Sequence, residues 1–125
     1  MTSQQKKSKL RRRCDGILQE LIRSMYSECL VCGKPSQVGH HYYSKGSCSA
    51  LRYDINNIVP LCHGCHMGIH TRCDPEIQNT INEVKGKEWL EELRVKKRNS
   101  FVKTNMEYYE NMEKKLKLLT PYKLK

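Results

Sequence analysis

Two turns of one spacing constrain this chain more than anything else in it: Cys29-x-x-Cys32 and Cys62-x-x-Cys65, about thirty residues apart. A Cys-x-x-Cys turn presents two sulfurs to one point, and two such turns supply the four thiolates of a closed tetrahedral zinc site. Gly33 follows the first pair and gives the backbone the freedom a tight turn needs. The chain has reason to need a staple. It has 125 residues, is 38% hydrophobic and contains a single Trp and a single Phe, which leaves only a thin core for one domain. Seven cysteines could instead mark a secreted disulfide framework, but the odd count, the paired spacing and the lack of an apolar leader favour thiolates in the reducing cytoplasm. Cys14, Cys48 and Cys73 have no partner at this spacing and read as free thiols. No apolar run approaches the ~20 residues of a membrane span, so a soluble protein is expected.

Histidines form a second constellation. His66 and His70 lie four residues apart, so on a helix both imidazoles leave one face and can bind one ion. His40, carried on a hairpin, would complete a three-nitrogen site with positions open to water and phosphate. His41 follows on the same strand, where neighbouring side chains point to opposite faces, and is left free. An imidazole there has the basicity to deprotonate an attacking water. Asn57 either orients His41 by bridging the loop between strand and helix through its amide, or is a plain turn residue. His63 lies on another face and reads as backbone-facing or phosphate-contacting.

The expected organisation is α+β. Residues 1–9 read as a disordered basic tail. Apolar residues at helical spacing predict a helix from roughly Arg12 to Ser27. Val38 to Tyr43 and Leu51 to Tyr53 read as the two strands of a hairpin, with a turn at Asp54 to Asn57 and then a helix bearing His66 and His70. Residues 10–73 thus form a zinc-stapled core, and 74–125 a helical extension. In that extension Asp74-Pro75 opens a helix, Gly86 closes it, Lys87 to Arg98 continues, and Thr104-x-x-Glu107 caps the last helix. Tyr109, Met112, Leu116 and Leu119 form a stripe on that helix that either packs on its own domain or serves a homodimer.

The formal charge is +10, which suits a polyanionic partner because neutralised phosphates release counterions. It gathers at Lys6, Lys7, Lys9, Arg11, Arg12 and Arg13, at Arg94, Lys96, Lys97 and Arg98, and along Lys114, Lys115, Lys117, Lys123 and Lys125. Each run also has the bland reading of a solvated face.

The string Gly39-His40-His41, Asn57 and Cys65-His66 resembles the HNH endonuclease family, and His66-x-x-x-His70 is similar to the version in nuclease colicins. The match covers roughly Cys29 to His70. This resemblance implies a small ββα-metal core flanked by helices, and hydrolysis of DNA phosphodiester bonds. It makes His41 the general base, Asn57 the orienting residue, and His40, His66 and His70 the ligands of a divalent ion such as Mg, Mn, Ni or Zn, beside a structural zinc on the cysteines. Lys6, Lys7, Lys9, Arg11, Arg12, Arg13 and Arg52 become the candidate DNA contacts. A narrower similarity links Leu51-Arg52-Tyr53-Asp54-x-x-Asn57 and Gly86-Lys87-Glu88-Trp89-Leu90-Glu91-Glu92-Leu93 to the phage recombination endonucleases of the NinG/Rap group, which act on branched intermediates. This chain departs from them at His41, His66 and His70, which favours a generic HNH metal site. A non-catalytic zinc-finger module that binds nucleic acid would explain the cysteines and the charge, but not these histidines. A colicin-like killer would need a delivery domain as well.

Overall fold

A computed structural model describes residues 1–120. Lys123 and Lys125 of the third basic run lie outside the described residues. The order is α1 (Ser3–Met25), β1 (Val38–His41), two single 3-10 turns (Ser49–Leu51 and Ile55–Asn57), β2 (Ile58–Leu61), α2 (His63–His70), α3 (Pro75–Asn99) and α4 (Met106–Leu119). The architecture is α+β: four helices around one two-stranded antiparallel sheet. Among the described residues no helix is long and apolar enough to cross a membrane.

The basic segment expected to be a disordered tail is the start of α1. Thr2 closes a capping box: its hydroxyl accepts from Gln5 N–H at 3.1 Å, and the Gln5 side-chain oxygen accepts from Thr2 N–H at 2.8 Å. Two otherwise orphaned donors are thereby satisfied, which starts the helix well ahead of its first buried residue, Leu10. From there Cys14, Ile17, Leu18, Leu21 and Ile22 bury one stripe. That stripe meets Tyr109 and Leu116 of α4, together with Tyr53 and Ile58. The apolar stripe of α4 therefore packs on its own chain, although Leu119 stays 48% exposed. Each buried Leu or Ile contributes about 1.5–3 kcal/mol.

A second core lies on the other side of the sheet. Cys29, Val59, Leu61 and Cys62 pack there against Ile77 and Ile81 of α3. Gly68 lets α2 approach α3, because a Cβ at that position would collide with Ile77 Cδ1. A third, smaller cluster joins Leu93 of α3 to Leu51 and Cys48.

The hairpin differs from expectation in its second strand. The return strand is β2, with His40 opposite Val59 and Gly39 opposite Pro60, whereas Leu51 ends a 3-10 turn and Arg52 and Tyr53 follow it. Four consecutive buried residues, Ile58-Val59-Pro60-Leu61, lie between both cores, and a two-stranded sheet offers an edge where proline's missing N–H costs no ladder bond. The Pro60 carbonyl is used by the first cysteine turn, accepting from Leu30 N–H at 2.9 Å.

Gly86 interrupts α3 at φ 87°, ψ 167°, as its expected role as a breaker requires, but the helix resumes at once. The arm before it holds Ile77 and Ile81, and the arm after it braces the loop between the strands. There Trp89 Nε1 donates to the Asn56 carbonyl at 2.9 Å and Lys96 pairs with Asp54 at 2.9 Å. The cap of α4 is Asn105, not Thr104: the Asn105 side-chain oxygen accepts from Tyr108 N–H at 2.8 Å.

Candidate metal centre and its pocket

Both cysteine turns close on one point. The four sulfurs of Cys29, Cys32, Cys62 and Cys65 lie within 4.8 Å of one another, and those of Cys32 and Cys62 are 3.6 Å apart. Bonds of ~2.3 Å to a tetrahedral zinc place sulfurs about 3.8 Å apart, so the set fits that ion and could hold it. Burial pushes the Cys29 thiol up, but backbone N–H groups of Cys32, Cys62 and Val31 outweigh it and bring it down to about 7. Cys62 caps α2 by accepting from Cys65 N–H at 3.4 Å, and that contact lowers its pKa. Burial and the neighbouring sulfurs hold Cys65 up. None of the seven cysteines is in a disulfide, and Cys14, Cys48 and Cys73 lie outside the four-sulfur cluster.

The structure also brings His40, His66 and His70 together. Ring centroids are 5.4 Å apart for His40 and His66, 5.3 Å for His40 and His70, and 4.4 Å for His66 and His70. One nitrogen from each ring falls within 4.8 Å of the others, so the three could hold a metal ion. β1 supplies the buried His40, and α2 supplies the other two from one face. Burial, then the like-charged neighbours His66, His70 and His41, push His40 down to about 4, and burial lowers His66 as well. Neutral imidazole is the ligand form. Three nitrogen donors without a carboxylate fit a first-row divalent ion and leave coordination positions free. The cluster faces a pocket of about 240 Å³ that is also lined by Gln19, His41, Ser44 and Lys45.

His41 is set apart from this cluster by its partner. Its Nε2 lies 2.8 Å from the Arg52 carbonyl oxygen. A carbonyl only accepts, so Nε2 carries the proton and Nδ1 carries the lone pair. Burial holds the His41 pKa below the usual imidazole range; the Arg52 carbonyl pulls it up and the Lys45 cation pushes it further down. His41 is thus neutral near pH 7, with one nitrogen able to accept a proton.

Asn57 is fully buried and makes three bonds, though not between strand and helix. Its Nδ2 donates to the carbonyls of Tyr43 at 3.0 Å and Leu51 at 3.1 Å, and its Oδ1 accepts from Tyr43 N–H at 2.9 Å. The amide ties the two ends of the strand-to-strand loop together and fixes the peptide beside the Arg52 carbonyl. His63 is exposed, and its backbone N–H donates to the Gln37 side chain at 3.0 Å.

Of the candidate nucleic-acid contacts, Lys6, Lys9 and Arg12 are exposed on α1, while Lys7 and Arg11 are half-buried. Arg13 is engaged by Glu113 through two bonds of 2.8 and 3.0 Å. Arg52 leaves the set of free cations: its guanidinium meets both oxygens of Asp15 at 2.9 and 2.6 Å, because an acid on α1 lies directly beneath it.

Three pocket or support residues were missed in the sequence. The Gln19 amide pairs with Gly39 like a third strand, donating to its carbonyl at 3.0 Å and accepting from its N–H at 2.7 Å. A Cβ on Gly39 would come within 2.7 Å of Ile58 Cγ2, which is why this position takes glycine. Lys45 sits in the loop with no spacing to mark it. Asp15 had a signal, as the first acid in the chain after a run of cations. No family model, curated protein or solved structure matches the chain.

Proposed function

We propose that this protein is a metal-dependent HNH endonuclease that hydrolyses DNA phosphodiester bonds, with β1, β2 and α2 as its ββα-metal unit and a structural zinc on Cys29, Cys32, Cys62 and Cys65. The observation that carries this reading is the pairing of His41, with an unprotonated Nδ1, with three convergent imidazoles on one pocket. His41 Nδ1 takes the proton of the water that attacks phosphorus, and the Arg52 carbonyl holds the ring in the tautomer that leaves Nδ1 free. His40, His66 and His70 hold a divalent ion, which when bound would neutralise the scissile phosphate and stabilise the departing 3′ oxygen. Lys45 adds a positive charge at the pocket wall, where a phosphate would lie. Lys6, Lys7, Lys9, Arg11 and Arg12 on α1 supply sequence-independent attraction to the duplex.

Branched recombination intermediates are the substrate to examine first. The Gly86 to Leu93 segment that resembles the recombination endonucleases supplies the arm bracing the catalytic loop, through Trp89 and Leu93. The test is incubation of the protein with linear, plasmid, flap and four-way-junction DNA, with and without Mg, Mn, Ni or Zn. Metal-dependent cleavage that chelator stops while the zinc remains bound is the expected result. Binding without cleavage of any DNA in any of the metals would overturn the nuclease reading and leave a zinc-finger module that binds nucleic acid.

A further inference from the structure

We propose that Asp15 on α1 is a positioning residue for His41 and acts through Arg52; the proposal rests on the reading of His41 as the general base. Asp15 collects three donors. Arg52 Nε reaches Oδ1 at 2.9 Å, Arg52 Nη2 reaches Oδ2 at 2.6 Å, and the Tyr53 hydroxyl donates to Oδ1 at 2.9 Å. The Asp15 side chain is 27% exposed and that of Arg52 18%, so the pair is shielded enough for its geometry to persist. Arg52 is thereby gripped at one end by α1, while its own carbonyl at the other end takes the His41 Nε2 proton at 2.8 Å. The preceding carbonyl, that of Leu51, is held by Asn57 Nδ2 at 3.1 Å. Two consecutive peptide oxygens thus have fixed directions, one toward the buried amide and one toward the base.

This arrangement matters because a neutral imidazole carries its proton on either nitrogen unless an acceptor selects one. If the Arg52 carbonyl swings away, Nδ1 is protonated part of the time and cannot accept. Asp15 makes no hydrogen bond to the ring and does not line the pocket; its carboxylate charge raises the His41 pKa directly, but it can select the tautomer only by fixing the Arg52 backbone. A merely structural ion pair would stabilise the contact of α1 with the loop and leave the imidazole indifferent. The Arg13–Glu113 pair is such a contact on the same helix, with no route to His41.

The test compares the full chain with Asp15→Ala, Asp15→Asn and Arg13→Ala, all loaded with zinc. In mildly alkaline solution the ¹⁵N shifts of the His41 ring report the tautomer. The wild type should be held with the proton on Nε2, Asp15→Ala should show a mixture, and Arg13→Ala should match the wild type. Cleavage by Asp15→Ala should fall roughly tenfold in kcat, the low end of what removing such an outer partner does, with little change in KM. Asp15→Asn keeps the shape and one acceptor oxygen, and supplies the readout if Asp15→Ala does not fold. A folded Asp15 variant with the wild-type tautomer would overturn the proposal. The ¹⁵N result stands whether or not the protein cuts DNA, so it fails separately from the nuclease reading.

Discussion

One helix of eight residues feeds both candidate metal clusters, and the two differ in nearly everything else. The thiols come from Cys62 and Cys65 at the start of α2 and from a turn before β1, and their neighbours are backbone N–H groups and the apolar side chains of the second core. Four donors fill a tetrahedron and leave nothing to exchange. The imidazoles come from further along α2 and from β1; there are three of them, they face a pocket, and His41, outside the cluster, lines the same pocket. Donor count separates a site that holds a fold from a site that can act on a substrate. Proximity adds that the second depends on the first, because α2 begins on Cys62 of the sulfur cluster.

That dependence should be one-way, and the largest effect tests it. Cys62→Ser removes one of the four thiolates while serine can still cap α2, so the expected loss of both clusters and unfolding of the chain reports the metal site alone. Zinc bound to such a site contributes about 10–16 kcal/mol of apparent free energy, as much as a whole domain is stable by. Circular dichroism with elemental analysis reads this, and a folded Cys62→Ser protein that still binds a divalent ion at the histidines would break the asymmetry.

Damage on the other side should stay local. His66→Ala should leave the zinc and the fold in place while losing the second ion, visible by calorimetry. His41→Ala should keep both ions and DNA binding and lose cleavage by ~10²–10⁴-fold, the usual contribution of a general base. If His41→Ala cuts as fast as the wild type, the distinction between ligand and base collapses.

The smallest effect lies outside both clusters. Lys6, Lys7 and Lys9 belong to α1, so their charge is best removed by Lys→Gln substitution, which keeps the helix, rather than by deletion. The triple variant should flatten the log–log salt dependence of DNA binding by up to about 2.7 units, at ~0.9 for each phosphate contact. An unchanged slope would assign these lysines to a solvated face.

Both side-chain clusters were legible because their information is local: a turn of four residues and an i, i+4 pair need no knowledge of the rest of the chain. The separation of His41 from the histidine cluster, too, followed from strand alternation beside His40. What failed was distant or disguised. Pro60 hides β2 by removing a donor that an edge strand does not need. The lysines of residues 3–9 resemble disorder, while the Thr2–Gln5 capping box that holds them helical was there to be read. Arg52 looked like a free cation because its partner, Asp15, is 37 residues away in sequence. Asn57 was found, yet its actual partners, Tyr43 and Leu51, follow only from a loop whose second strand had been misplaced.

The pairing of α1 with α4 bears on how the molecule is made. The Cys14 thiol meets the Tyr109 carbonyl across 95 residues of chain. Synthesis proceeds at about 5–20 residues per second, so the Leu10 to Ile22 face is made several seconds before its cover. The cysteines span far less sequence and can be gathered earlier. On the ribosome the apolar face of α1 therefore stays uncovered while both cysteine turns, which lie between it and α4 in sequence, are already made.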